Sequence, residues 1–331
     1  GFTRFFVLLA VFGTGMNLMV LAGSFDVLFA GWELIGISST LLIGFFHERP
    51  NAVRAAFRAF VTYRICDVGL LAASVVAHAA VGSADFDRLF HGGWPHAACL
   101  VPESTATILS FLLIFAALGK TAQVPFTGWL PRAMEGPTPS SAIFYGALSI
   151  HAGAYVLLRC EPLLQAVPAA GWALIAIGAA TAAHANAIGR VQTDLKSMLP
   201  YGSMAQAGLI FVEIGLGWRI VPLVHVVSHA VLRSLQILRS PSALHDRHAL
   251  AAALGGQPGA GRSWTDWLPE GWQAAIYRVA LERGYEEMVL TRLFVVPFRT
   301  LVERLAAAEQ GWTDRLGELR LRGPRNREGT P

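Results

Sequence analysis

Between residues 5 and 239 the chain is a near-continuous series of apolar runs, each about as long as a helix needs to cross a bilayer. A hydrocarbon core of about 30 Å takes roughly 20 residues of helix. The runs fall at 5–22, 26–46, 57–81, 105–118 with a continuation at 126–134, 139–160, 168–189, 198–217 and 219–239, about eight spans. The segment 82–104, with Gly-Gly-Trp-Pro at 92–95, reads as an extramembrane loop. Composition agrees: 54% of residues are hydrophobic and 15% charged, against about a quarter charged in soluble domains. The expected fold class is all-α, a polytopic transmembrane helix bundle in a cell inner membrane.

A net charge of +4 raises the question of a nucleic-acid partner. Its distribution argues against one, because Arg49, Arg54 and Arg58 cluster at a span end, as the positive-inside bias produces. No basic stripe with interleaved aromatics occurs. Cys66, Cys99 and Cys160 form no C-x-x-C motif, so neither a disulfide framework nor a thiolate metal site is expected. The first residue is Gly1 and a span follows almost at once, which reads as a fragment lacking its true N-terminus.

One span is interrupted. Gly119, Pro125, Gly128 and Pro131 fall within apolar surroundings in GKTAQVPFTGWLP, and Pro125 removes a backbone donor. In lipid, broken helices persist where protein or a water-filled cavity satisfies the freed groups, and transporters bind ions at such breaks. The alternative is a loop joining two shorter helices. A bundle over 1–240 is expected to give way to a linker at 241–272, rich in Gly, Pro, Trp and charge. Residues 273–318 alternate apolar and charged positions at helical spacing, an amphipathic segment for a membrane surface or a partner, with a last span at 285–305 as the alternative. The tail 319–331 is polar and expected to be disordered.

Several ionisable residues lie inside the apolar runs, where each costs about 2.5–3.5 kcal/mol to insert. Glu33 sits seven residues into AGWELIGISSTLLIGFF counted from the span's start, and such a group is either a functional site or a structural partner. Arg64 and Asp67 are three residues apart on one helix face, so they can form an internal salt bridge or take part in transfer. Lys120 lies at the helix break; burial disfavours the charged form of a lysine, so a Lys there can take up and release a proton, or else snorkel to the interface. His225 and His229 share a face, and Arg233 extends it by one turn; a histidine ladder suits proton relay, while two satisfied core histidines are the plain alternative. The spacing H-x-x-x-H also fits zinc, but Val226 stands where a metalloprotease needs Glu, so no metal is expected. His151 and His184 are second-tier candidates, and Lys196, between two spans beside Asp194, is a buried link or an interfacial lysine.

The strings WELIGISSTLLIGFFHERP, GKTAQVPFTGWLPRAMEGPTPSSA, QTDLKSMLPYGSMAQAG and HVVSHAVLRSLQIL together resemble the proton-translocating antiporter-like subunits of respiratory complex I (subunit L, or chain 5) and of the Mrp cation antiporters. The likeness runs over roughly 1–240. It implies that Glu33 is the key intramembrane glutamate, that Lys120 is the lysine on the broken helix, and that His225 and His229 lie on a second broken helix. Arg233 stands where these subunits usually carry Lys, which implies a fixed charge, since Arg stays protonated. Tyr145 replaces an expected histidine, with His151 further along. The change of character after residue 240 resembles DabB, the membrane subunit of the two-component DAB inorganic-carbon transporters. That implies a large soluble zinc-dependent, carbonic-anhydrase-like partner (DabA-like), no catalysis and no cofactor in this chain, and ion movement that energises carbon dioxide or bicarbonate uptake. The competing expectations are a subunit of a respiratory or Mrp-like assembly and a passive membrane anchor.

Overall fold

In a computed structural model the described residues are 1–92, 96–192, 195–239 and 267–321. The long helices are α1 Phe2–Leu21, α2 Phe25–Ile43, α3 Pro50–Val81, α5 Glu103–Lys120, α9 Pro168–Arg190, α10 Leu195–Gly215 and α11 Ile220–Arg239. Among the described residues, seven helical segments, one of them Thr138–Arg159, are long and apolar enough to cross a membrane. This is the all-α transmembrane bundle expected. Phe86–Leu89 (α4) and a two-residue hairpin, Phe90–His91 with Ala98–Cys99, lie in the segment anticipated as a loop.

The ends of these helices are fixed by local chemistry. Ser24 caps α2 by accepting from the Val27 amide at 3.3 Å. Pro50 sits in the first turn of α3, where its missing N–H costs nothing, and Gly82 ends that helix with a left-handed φ of 76°. Helices α9 and α10 approach through paired glycines: a Cβ on Gly208 would lie 2.6 Å from the Gly178 carbonyl oxygen, and one on Gly215 would lie 2.6 Å from that of Gly171. The seven-residue spacing in each helix, run antiparallel, brings the backbones together, as small residues do in membranes.

Two spans are irregular. After α5 the chain passes through short 3₁₀ turns at Thr127–Trp129 and Arg132–Glu135 in place of a continued helix. The next span begins as Thr138–Ser141 (α6), widens into a π-helical stretch at Ala142–Ala147, tightens to 3₁₀ at Ser149–His151 and resumes as Ala152–Arg159 (α7). The sequence suggested one continuous helix there. By contrast α11 is unbroken from Ile220 to Arg239, which corrects the second broken helix implied by resemblance. Its sequence has no Gly or Pro after Pro222 to interrupt it.

Hydrogen bonds identify which helix ends lie together. Phe25 N–H donates to the Ala84 carbonyl, Arg159 donates to the Ala22 carbonyl at 2.7 Å, and Arg219 Nε donates to Glu161 in Glu161–Ala166 (α8) at 2.8 Å. At the opposite end Arg4 donates to the Phe45 carbonyl at 2.6 Å. That opposite end also carries Arg49, Arg54, Arg190 and Arg239, so the positive-inside bias marks it as the inner face. The chain forms two compact units, Gly1–Gly284 and Tyr285–Pro331. The first includes Glu270–Leu281 (α12); the second holds Glu286–Leu290 (α13), a π-helical stretch at Thr291–Val295, and Val296–Leu321 (α14). Most of the linker at 241–272 and the tail from 322 lie outside the described residues.

Candidate functional site

Helices α2, α3 and α5 meet around four charged side chains. Arg64 of α3 forms ion pairs with Glu33 of α2 and, at 2.7 Å, with Asp67 one turn along its own helix. The Trp32 indole N–H donates to the other Asp67 oxygen. Lys120, the last residue of α5 and 1% exposed, donates to the Trp32 carbonyl at 3.1 Å and lies 4.0 Å from Asp67. Its ammonium also faces the Trp32 and Tyr63 rings, 4.8 and 4.5 Å from their centroids. Gly36 leaves the room for it, since a Cβ there would stand 2.8 Å from Nζ. Two carboxylates and two cations balance when all are charged, which is how a buried cluster of this kind is sustained.

The helix break supplies the geometry. With α5 ended at Lys120, the freed Gly119 carbonyl accepts from the Trp129 indole at 2.9 Å, and the Val124 amide donates to the Thr181 hydroxyl at 3.0 Å. Gly119 admits α3 closely: a Cβ there would lie 2.6 Å from that of Cys66. Pro125 lies within the turn between α5 and the 3₁₀ segment.

A second cluster lies where the 3₁₀ turn Ser149–His151, α10 and α11 meet. His225 is flanked on both ring nitrogens, by Glu213 at 2.7 Å and by Gln206 at 2.8 Å. An amide side chain can offer either its oxygen or its NH₂, so Gln206 can serve His225 as acceptor or as donor. His229 receives a hydrogen bond from Arg233 Nε at 3.5 Å on its Nε2, so its proton sits on Nδ1 and is donated to His151 Nε2 at 2.9 Å. His151 then donates from Nδ1 to the Ala147 carbonyl at 2.8 Å, in the π-helical stretch. Ser234 donates to the Ala142 carbonyl at 3.3 Å, tying α11 to the π-helical stretch. The opposite face of α11, with Val224, Val227, Val231 and Leu235, is exposed and apolar, as a lipid-facing surface requires.

Between the clusters runs a buried polar seam. The Tyr63 hydroxyl stands beside those of Ser39 and Ser149. Ser149 is two residues from His151, and Tyr63 packs edge-on against Trp129, which packs in turn against Tyr145.

The structure thus brings Glu33, Arg64, Asp67 and Lys120 into one cluster and His151, His225, His229 and Arg233 into another. His184 lies apart in chain order on α9, its Nε2 3.5 Å from the Thr127 hydroxyl and its ring against Gly284. The side chain of Lys196 lies outside the described residues, as does Asp194. Sequence reasoning passed over Trp32, Tyr63, Gln206 and Glu213. Glu213, in the apolar run IFVEIGLG, carried the same signal that singled out Glu33.

Residues 3–254 match the family model described as NADH:quinone oxidoreductase/Mrp antiporter, transmembrane. The chain is 39% identical over 242 residues to NADH-ubiquinone oxidoreductase chain 5 of Schizophyllum commune, covering 73% of this chain and 34% of that protein. It is 36% identical over 251 residues to NADH-quinone oxidoreductase subunit L of Rhodobacter capsulatus, covering 74% and 35%. A chain in the structure of the Mrp complex from Dietzia sp. DQ12-45-1b superposes with a TM-score of 0.65 and 26% identity, over 85% of this chain and 32% of that one. The chain spans about a third of the length of the curated relatives it matches.

Proposed function

The chain belongs to the NADH:quinone oxidoreductase/Mrp antiporter transmembrane family, and on that premise we propose that it translocates protons as a membrane subunit of a complex I-like or Mrp-like assembly. The observation that carries this reading is Lys120, fully buried at a helix break and held between the Asp67 carboxylate and two aromatic faces. A lysine in that position can lose its proton and regain it, with Asp67 setting the balance. Glu33 and Asp67 share Arg64, so a change at Glu33 reaches Lys120 through a chain of three ion pairs. Tyr63 and Ser149 supply hydroxyls between Lys120 and His151, and the histidines extend the route to Glu213.

A finer reading adds the inorganic-carbon partner. Its support is the change after residue 240 from apolar spans to the helices α12 and α14, whose exposed faces mix apolar and charged groups. The relatives named above favour the respiratory or Mrp reading instead.

The test is proton flux in proteoliposomes holding the assembled complex. Glu33→Gln and Lys120→Ala are each expected to abolish flux while the complex still assembles. Parental flux in both variants would overturn the relay. Partners recovered with the tagged chain separate the two readings: a large zinc-containing soluble subunit supports carbon uptake, whereas redox or Mrp subunits support the first.

A further inference from the structure

We propose that Asp26, Ser74 and His78 form a second titratable station, at the outer end of the α2–α3 seam, that exchanges protons between the outer face and the Glu33–Asp67 cluster; this rests on the translocation reading above. His78 Nε2 lies 2.9 Å from Asp26 Oδ2, and the Ser74 hydroxyl donates to the other carboxylate oxygen. The three side chains join two helices across 48 to 52 residues of chain.

Position distinguishes this group from an incidental surface pair. Asp26 precedes Glu33 by seven residues on α2, and Ser74 follows Asp67 by seven on α3, so each pair shares a helix face. Two turns of helix, about 10 Å, separate the two clusters along the seam. Leu70, fully buried and one turn from both Asp67 and Ser74, lies between them. The station sits where α2 begins and α3 ends; Asp26 (55%) and His78 (50%) are half exposed, while Ser74 is buried. Its carboxylate is at a helix N-terminus and its imidazole at a helix C-terminus, an orientation that both helix dipoles favour.

Two charged groups on neighbouring elements are engaged elsewhere, while α4 also carries Asp87 and Arg88. Asp85, on the loop that pairs with Ser24, accepts from Ser83 at 2.7 Å, and Arg159 of α7 is bound to the Ala22 carbonyl. Deeper along the seam stand Glu33, Arg64, Asp67 and Lys120. The step at the station conserves one proton: imidazolium and carboxylate become imidazole and carboxylic acid, and the acid then gives its proton to water, which carries it inward toward Glu33 or back to the outer face.

The experiment measures flux against external pH in proteoliposomes of the assembled complex, with Glu33→Gln alongside. Asp26→Asn keeps an acceptor for Ser74 and His78 but cannot titrate. It is expected to lower flux about tenfold or more and to flatten the external-pH dependence, at the lower edge of what a positioned proton-transfer group contributes. His78→Gly is expected to lose flux likewise and to regain it with external imidazole, which a purely structural clamp would not do. Parental pH dependence in Asp26→Asn, or no imidazole rescue of His78→Gly, would overturn the station. If Glu33→Gln leaves flux intact, the translocation reading itself fails; if Glu33→Gln is dead while Asp26→Asn matches the parent, only the station does.

Discussion

Lys120 and Asp67 face each other at 4.0 Å from helices 53 residues apart in the chain, with the lysine wholly buried. At an effective dielectric of about 20, opposite charges at that separation attract by about 4 kcal/mol. That attraction is comparable to the difference between holding and releasing a proton, so the pair is a place where a small rearrangement changes occupancy. Asp67 also binds Arg64 and the Trp32 indole, and both compete with Lys120 for its charge.

Lys120→Arg separates an exchangeable proton from a fixed charge. Arginine keeps the positive charge opposite Asp67 but does not release its proton in protein settings. Flux is expected to fall by about a hundredfold, within the contribution of a positioned proton-transfer group. Assembly by size-exclusion chromatography is expected to be retained. Near-parental flux in Lys120→Arg would reduce Lys120 to a structural cation.

Asp67→Leu leaves Arg64 with Glu33 alone and removes the nearest anion from Lys120. Orphaning one partner of a buried pair costs about 3–5 kcal/mol, and the surviving Glu33 pairing places this variant near the lower figure. A lowered thermal unfolding midpoint in detergent checks it. Glu33→Leu, with Asp67 still on both cations, is expected to be the milder of the two.

His151 and His229 are expected to behave as one unit, because their direct bond carries the only direction of donation consistent with Arg233 on one side and the Ala147 carbonyl on the other. His151→Phe and His229→Phe should each lower flux strongly, and the double variant should lose little more than either single one, as residues acting together do. Additive losses measured in the same vesicles would mean that the bond is not on the route.

The spans were legible because hydropathy needs no tertiary knowledge, and the break was legible because Gly119 and Pro125 interrupt an apolar run. The Arg64–Asp67 pairing followed from spacing alone. What spacing could not give was Lys120 against Asp67, or His151 against His229 across 78 residues, because those meetings depend on how helices rotate against each other. The π-helical stretch at 142–147 was hidden for a related reason: it lies against α11, whose Ser234 donates to the Ala142 carbonyl, and sequence does not show that packing. Resemblance misled at α11, where the family's second break was carried over to a segment whose residues favour an intact helix.

The α9–α10 crossing predicts a stability effect that leaves the charged clusters untouched. Gly208 sits so close to α9 that its Cβ would meet the Gly178 carbonyl at 2.6 Å and the Ala182 amide nitrogen at 3.0 Å, both backbone atoms that cannot turn aside. Gly208→Leu therefore forces the two helices apart. Overpacking of this kind costs about 1–3 kcal/mol, and rigid backbone on the far side puts it at the upper end. Gly13 on α1 has open space around its Cβ position, so Gly13→Leu adds the same side chain without a clash. Thermal unfolding in detergent should show a lowered midpoint for Gly208→Leu and a parental one for Gly13→Leu. Equal midpoints in the two variants would mean that the glycine pairs do not set the helix separation.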